Sequence, residues 1–183
     1  MPGYFSKFPL IRHNDKIVRD ITRRVNLIEE NRNTPFLFLP YTVKQGEKPE
    51  DIAYYYYGSV NYTWLVLYSN NIIDPYLEWL MTDDQLNRYI IEKYEAQSGK
   101  TGLGVIEWTQ NETISDNIVF YYDDGRDLAI SKESATLPGN ENFRPLRIYE
   151  YETRLNDLKS EIKLIDRSFL SRIENEFTRI IRQ

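Results

Sequence analysis

The sequence predicts an α+β protein, and three observations carry that prediction. The stretch "YTVKQGEKPEDIAYYYYGSVNYTWLVLYSNN", from Tyr41 to Asn71, reads as a short strand, a glycine turn and two small helices. Beyond residue 104, short alternating stretches separated by turn residues read as a small antiparallel meander. Residues 149–182 form the longest periodic segment, with apolar side chains three or four positions apart.

From the N-terminus, "GYFSKFPL" (3–10) is aromatic and ends near Pro9, which favours an extended arm. Ile17, Val18, Ile21, Val25 and Ile28 lie at helical spacing. A helix is therefore expected over 14–30, with Asn14 or Asp15 as N-cap. Phe36 to Leu39, bounded by prolines, reads as extended. Tyr41 to Gln45 reads as a strand, and Gly46 permits the tight turn after it. Pro49 suits the first turn of a helix, where its missing N–H costs nothing. Ile52, Ala53 and Tyr56 or Tyr57 form that helix's inner face, and Gly58 stops it. Asn61 caps a second helix carrying Trp64, Leu65, Leu67 and Tyr68, which ends at Asn70-Asn71.

"DPYLEWL" is a turn leading to Trp79, and "TDDQLNRYIIEKYEAQ" is a capped helix. "SGKTGLG" (98–104) is a joint. "VIEWTQ", "NIVFYY" and "LAIS" are the expected strands, and "SATLPGNENFRP" is a loop. Leu155, Leu158, Ile162, Ile165, Phe169, Ile173, Phe177 and Ile180 form a coiled-coil-like stripe. A helix that long would span roughly 45–50 Å. A body of this size cannot cover it, so its distal residues Phe169, Ile173, Phe177 and Ile180 are expected to bind a partner. The expected divisions are an arm and helix (1–40), a central module with an extra helix (41–97), the meander (98–147) and the long amphipathic helix (148–183).

Composition narrows the function. The absence of cysteine excludes disulfides and thiolate metal sites. His13 is the single histidine and cannot build a histidine metal site alone. There is no apolar run of about 18 residues, so no membrane span is expected. The first residues lack a signal-peptide core, which suggests action where the chain is made. Fifteen tyrosines supply large contact area with a polar tip, as protein interfaces require.

Residues 1–40 carry seven Lys and Arg against four acids, and residues 41–146 carry eight against seventeen. A basic arm precedes an acidic body, which disfavours nucleic acid for the body. Lys7, Arg12, Lys16, Arg19, Arg23 and Arg24 are expected to face an acidic partner surface. The tyrosine run 54–57 points all around a helix, so Tyr54 and Tyr55 are candidates to face a partner.

Catalytic motifs carry little weight. "GKTGLG" lacks the spacing of a phosphate loop. Glu107 and Asp116 share a spacing with some phage lysozymes, but Tyr122 stands at the third position and Glu107 lies in a strand-like stretch. No acid-raising pocket follows from those residues.

The central stretch resembles a LysM repeat, a βααβ module. The matching positions are Tyr41, Val43, Gly46, Ile52, Ala53, Gly58, Leu67 and Asn70, with Trp64 as a core residue. Pro49, the four tyrosines and "DPYLEWL" depart from secreted LysM modules. The run "GEKPEDIAYYYYG", "YTWLVLYSNNIIDPYLEW" and "LNRYIIEKY", with "YFSKFP" near the start, resembles the LysM-containing baseplate wedge protein of contractile-tailed bacteriophages. The resemblance is good over residues 4–95.

It implies a structural, non-enzymatic role in the virion tail baseplate, after assembly in the host cytoplasm. The implied partners are other wedge proteins, neighbouring wedges and the sheath-initiating protein, with no nucleic acid, membrane or cofactor. Tyr4, Phe5 and Phe8 of the arm join Arg19, Arg23, Arg24, Tyr54 and Tyr55 as expected partner contacts. The alternative is a peptidoglycan or N-acetylglucosamine-binding module, with 46–49 and 70–76 as its loops.

Overall fold

The computed structural model describes residues 7–22 and 36–181. In chain order the elements are β1 (Leu10–His13), β2 (Lys16–Arg19), β3 (Phe38–Thr42), α1 (Pro49–Tyr57), α2 (Thr63–Ser69), α3 (Pro75–Glu78), α4 (Asp83–Ser98), α5 (Leu103–Gln110), β4 (Ile118–Asp123), β5 (Leu128–Ile130), α6 (Lys132–Ala135), β6 (Arg144–Arg147), α7 (Ile148–Leu158), β7 (Glu161–Ile165) and α8 (Leu170–Ile181). Short 3₁₀ turns precede α2 (Val60–Tyr62) and α8 (Arg167–Phe169). The chain divides into two units, 1–79 with 159–183, and 80–158. The protein is α+β, as its sequence predicts.

In the first unit, β3 pairs antiparallel with β7, from Phe38↔Ile165 to Thr42↔Glu161. The helices α1 and α2 follow β3 directly, but the strand that completes β-α-α-β arrives only after the whole second unit. The bonds Asp166 N–H to Leu37 O and Val43 N–H to Ser160 O, both 2.8 Å, place the bonded pairs at odd positions of β3. Pro40 therefore stands where an N–H would point away from the ladder, so proline is tolerated there. Pro49 opens α1, the Asp51 carboxylate accepts from Lys48 N–H at 3.1 Å, and Gly58 closes the helix at φ 79°. Ser59, not Asn61, caps the turn into α2, its Oγ accepting from Asn61 N–H at 3.2 Å.

Two expectations are corrected in this unit. Residues 10–19 form a β-hairpin where a helix over 14–30 was expected. Asn14 and Asp15 take φ 47° and 59°, the left-handed pair of a two-residue hairpin turn that Asn and Asp tolerate. Ile11 then faces Val18 across the ladder. Residues 23–30 of that expected helix lie outside the described residues.

The single long C-terminal helix is instead α7, β7 and α8. In β7, Ile162 and Leu164 are buried while Glu161 and Lys163 are exposed, a period of two. Pairing with β3 overrides the helical spacing, which Ile162 and Ile165 satisfied by coincidence.

The second unit packs α4, α5 and α7 with a three-stranded antiparallel sheet of order β5-β4-β6. Thr82 caps α4 in a reciprocal box with Gln85, and Gly99 ends it at φ 61°. "NIVFYY" and "LAI" are strands as expected, but "VIEWTQ" is helical and Arg144–Arg147 supplies the third strand. Val105, Trp108 and Thr109 are buried at i, i+3 and i+4, so the segment carries both periods and its packing selects the helix. Met81, Leu86 and Ile90 anchor the core with Tyr89, Tyr94, Ile106 and Tyr149 against them. The Asn156 amide clasps Met81, accepting from its N–H and donating to its carbonyl, both at 2.9 Å. The second unit is thus tied together where the chain enters and leaves it.

Candidate partner-binding surface

The module must first cover its own apolar surface. Phe177 is 1% exposed and packs against Trp64 (ring centroids 4.6 Å apart), Tyr68 (6.1 Å) and Phe8 (6.3 Å). Lys7 Nζ lies 3.0 Å from Glu174 Oε1 and 5.1 Å from the Trp64 ring centroid. Phe8, Ile173 and Phe177, expected to face a partner, are therefore core residues of this chain. The physical reason is length. α8 has only 12 residues, and Ile173, Phe177 and Ile181 repeat every four, so the module covers the whole inward stripe. Phe169 and Ile180 are half-buried.

The positions expected for a LysM-like module divide by role. Val43, Ile52, Ala53 and Trp64 are buried, and Leu67 is half-buried. Gly46 takes φ 81°, which a side chain would strain. The Tyr41 hydroxyl donates to Glu47 Oε1 at 2.8 Å, and burial with this carboxylate pushes its phenol up to about 12. Tyr57 donates to Ile165 O at 2.9 Å, and burial pushes its phenol up.

Asn70 works as a strand mimic. Its Oδ1 accepts from Lys163 N–H at 2.7 Å, and its Nδ2 donates to Lys163 O at 2.9 Å and Val66 O at 2.8 Å. On the outward edge of β7, Lys163 N–H and C=O and Ile165 C=O are thereby satisfied by the side chains of Asn70, Ser69 and Tyr57.

Aromatic side chains stand among those left outward. Tyr54 is 57% and Tyr55 76% exposed, with ring centroids 5.7 Å apart. Tyr56 sits under the Arg167 guanidinium, 4.8 Å from its ring centroid. Arg19 is exposed, and its guanidinium donates to Phe8 O at 2.8 Å. Tyr4, Phe5, Arg23 and Arg24 lie outside the described residues. Ile73, Tyr76 and Leu77 are also strongly exposed, a feature the sequence reading passed over. The signal was available, because "IDPYL" places a cap and a proline among large apolar side chains that no helix long enough to bury them follows.

In the second unit, charges are spent on each other. Arg144 reaches Asp124 (2.6 Å) and Glu150 (2.7 Å), and Arg154 reaches the same two carboxylates (2.7 and 3.0 Å). The bonds from Arg144 and then Arg154 hold the Asp124 carboxyl down at about 2. Arg154 also lies over the Tyr122 ring, 4.1 Å from its centroid. An open cleft of about 510 Å³ lies beside Arg144, Arg147 and Tyr149. Arg147 is engaged there, donating to Ile114 O, Asn117 Oδ1 and Glu112 O.

Glu152 is 3% exposed and accepts from Lys93 Nζ (2.8 Å) and the Tyr94 hydroxyl (2.6 Å). Burial and this carboxylate push the Tyr94 phenol up to about 12. Burial opposes the Lys93 charge, but the bonds to Glu152 and Tyr89 and the Glu152 charge together outweigh it and hold the ammonium above its ordinary range.

Glu107 and Asp116 are both exposed, and Glu107 lies on α5 rather than a strand. Among the described residues no group of three or more His, Cys, Asp or Glu could hold a metal ion. Among them no helix is long and apolar enough to cross a membrane.

The geometry is that of packed units with aromatic and charged outer faces, and the comparisons agree with it. The baseplate wedge protein gp53 of Enterobacteria phage T4 is 25% identical over 151 residues, covering 77% of this chain and 72% of the relative. The pattern of the family "Base plate wedge protein 53" matches residues 11–180. With the match running from β1 into α8, this chain belongs to the base plate wedge protein 53 family, structural proteins of the phage tail baseplate.

Proposed function

We propose that the chain links neighbouring baseplate wedges and contacts the wedge-core and sheath-initiating proteins, using a LysM-like βααβ module as a protein-binding body. The observation that carries this is the pair Tyr54 and Tyr55. Two adjacent tyrosines stand in water on a helix whose other face is fully packed. Tyrosine gives large, rigid contact area with little entropy to lose, as an assembly surface requires. The basic hairpin, with Arg12, Lys16 and Arg19 against Asp15, supplies a second face suited to an acidic partner.

The glycan-binding alternative has less support. The Glu47 carbonyl, in the 46–49 loop, already accepts from the Trp79 indole at 2.8 Å. A backbone acceptor in that loop is therefore occupied by the chain itself.

Complementation tests the proposal. Cells infected by phage with a stop codon in this gene would be supplied with the wild-type chain, with Tyr54→Ser/Tyr55→Ser, or with Arg19→Glu/Arg23→Glu/Arg24→Glu. The wild type should restore complete baseplates. The tyrosine variant should fold with unchanged melting temperature, the arginine variant should also lose the Arg19 bond to Phe8 O, and both should leave wedges unjoined. Normal particles from both variants would sink the proposal. Retention of the wild type on insoluble peptidoglycan would favour the alternative.

A further inference from the structure

The segment between α2 and the second unit is short, rigid and apolar on its outside. Ile73 is 71%, Tyr76 91% and Leu77 52% exposed. Side chains of this size in water are ordinary one at a time, but three within five residues form a patch.

The backbone beneath them is locked. Ile72 N–H donates to Leu67 O at 3.0 Å, and Leu77 and Glu78 N–H donate to Asp74 O at 3.1 and 2.8 Å. Ile73 and Asp74 N–H both donate to the Glu78 carboxylate, at 2.6 and 3.1 Å, and Tyr76 N–H donates to Asp74 Oδ1 at 3.0 Å. Pro75 has no N–H. Every backbone donor from Ile72 to Glu78 is therefore satisfied within the unit. Lys159 Nζ adds a bond to Leu77 O at 2.7 Å, and the Trp79 indole pins the far end to Glu47.

Free backbone donors are one of the ways a loop holds a sugar or another polar ligand. This one has its backbone donors satisfied and presents Ile73, Tyr76 and Leu77 on a pre-formed frame. Pre-organisation removes the ordering cost of binding, so such a knob suits a concave apolar site. Residues 72–79 also carry two carboxylates, Asp74 and Glu78, against the one ammonium of Lys159 at their edge, so the knob is net negative. We infer that the loop 72–78 is a docking knob that inserts Ile73, Tyr76 and Leu77 into an apolar groove of another tail protein, a groove rimmed by Lys or Arg. This rests on the assembly role proposed above and adds the site and the chemistry of its partner.

The experiment uses wedge intermediates purified from cells infected by phage lacking this chain. The purified full-length protein is added, and bound and free protein are separated by sedimentation. Ile73→Ser/Tyr76→Ser/Leu77→Ser should lose at least tenfold in apparent affinity with an unchanged melting temperature. Tyr76→Ser alone, at the most exposed position, should lose severalfold, and Ile73→Val/Leu77→Met should bind as the wild type.

Undiminished binding of the folded triple or the Tyr76→Ser variant would overturn the inference while leaving the assembly role standing. A wild-type chain that does not join the intermediates would overturn that role and this inference with it. Binding of N-acetylglucosamine oligomers, or of phosphatidylethanolamine–phosphatidylglycerol vesicles, that disappears in the triple variant would replace the protein groove with that ligand.

Discussion

Phe177→Ala should remove most of the stability of the first unit. The ring is 1% exposed and touches three other aromatic rings, those of Phe8, Trp64 and Tyr68. Truncating a buried phenylalanine costs about 3–5 kcal/mol, and each well-placed ring pair adds about 0.5–1.5 kcal/mol beyond area. With three such pairs lost, the cost belongs at the upper end, about 4–5 kcal/mol. A domain of this size holds only about 5–15 kcal/mol in all.

A melting curve of the whole chain reports both units, so a local assay is added to assign the loss to the first. Hydrogen exchange on peptides covering α2 and β7 reads the first unit, and peptides from α4 give an internal reference. A loss of about 4–5 kcal/mol lowers protection by roughly a thousandfold where exchange needs unfolding of the unit. Deleting 168–183 should do the same or worse. Protection of β7 amides unchanged to within tenfold would refute the packing of α8 as the lid of this core.

Other changes have smaller and more local outcomes. Asn70→Ala leaves Lys163 N–H without its partner, while Lys163 O keeps the Ser69 hydroxyl at 2.8 Å, so it should cost about 1–3 kcal/mol and speed exchange at the Lys163 amide, measured by NMR. Excising 80–158 and joining Trp79 to Lys159 through a short Gly-Ser linker should leave the first unit folded. Lys159 already reaches Leu77 O at 2.7 Å, and circular dichroism with a cooperative melt would check it. Asp124→Asn should lower the melting temperature of the second unit at pH 6. Asp124 is held below its ordinary value of 3.8, so its contribution is present above about pH 4 and fades as pH falls through about 2. The difference between variant and wild type should therefore close over that interval in a pH series of melts.

The sequence was most legible where short-range chemistry decides the backbone. Pro49, Gly58 and Thr82 mark helix ends because caps and left-handed glycines act within one turn. Trp64, Ile52 and Ala53 were readable as core from helical spacing. The misreading of the C-terminal segment came from a partner distant in sequence. "EIKLI" became β7 only because β3, more than a hundred residues earlier, pairs with it.

Phe177 was taken for a partner contact because a continuous helix would have carried it away from the body. Breaking the helix at Lys159 and Ser160 folds α8 back onto Trp64. The hairpin over 10–19 was hidden by Ile17, Val18 and Ile21, whose spacing fits a helix, while the Asn14-Asp15 turn signal was read as a cap. Among the proposed contacts, Tyr54 and Tyr55 were visible from the run of four tyrosines. The knob at 73–77 was not, because its rigidity depends on where the Glu78 carboxylate turns.

The most direct test of the account is a photo-cross-linking residue at position 55, introduced into phage and irradiated in isolated, completed baseplates. Tyr55 stands 76% exposed in the free chain, whereas Ala53, two positions away, is fully buried and serves as the control. The account predicts adducts from position 55 to other baseplate proteins and none from position 53. A chain present in those baseplates that gives no adduct from position 55, or gives the same adducts from position 53, would contradict it.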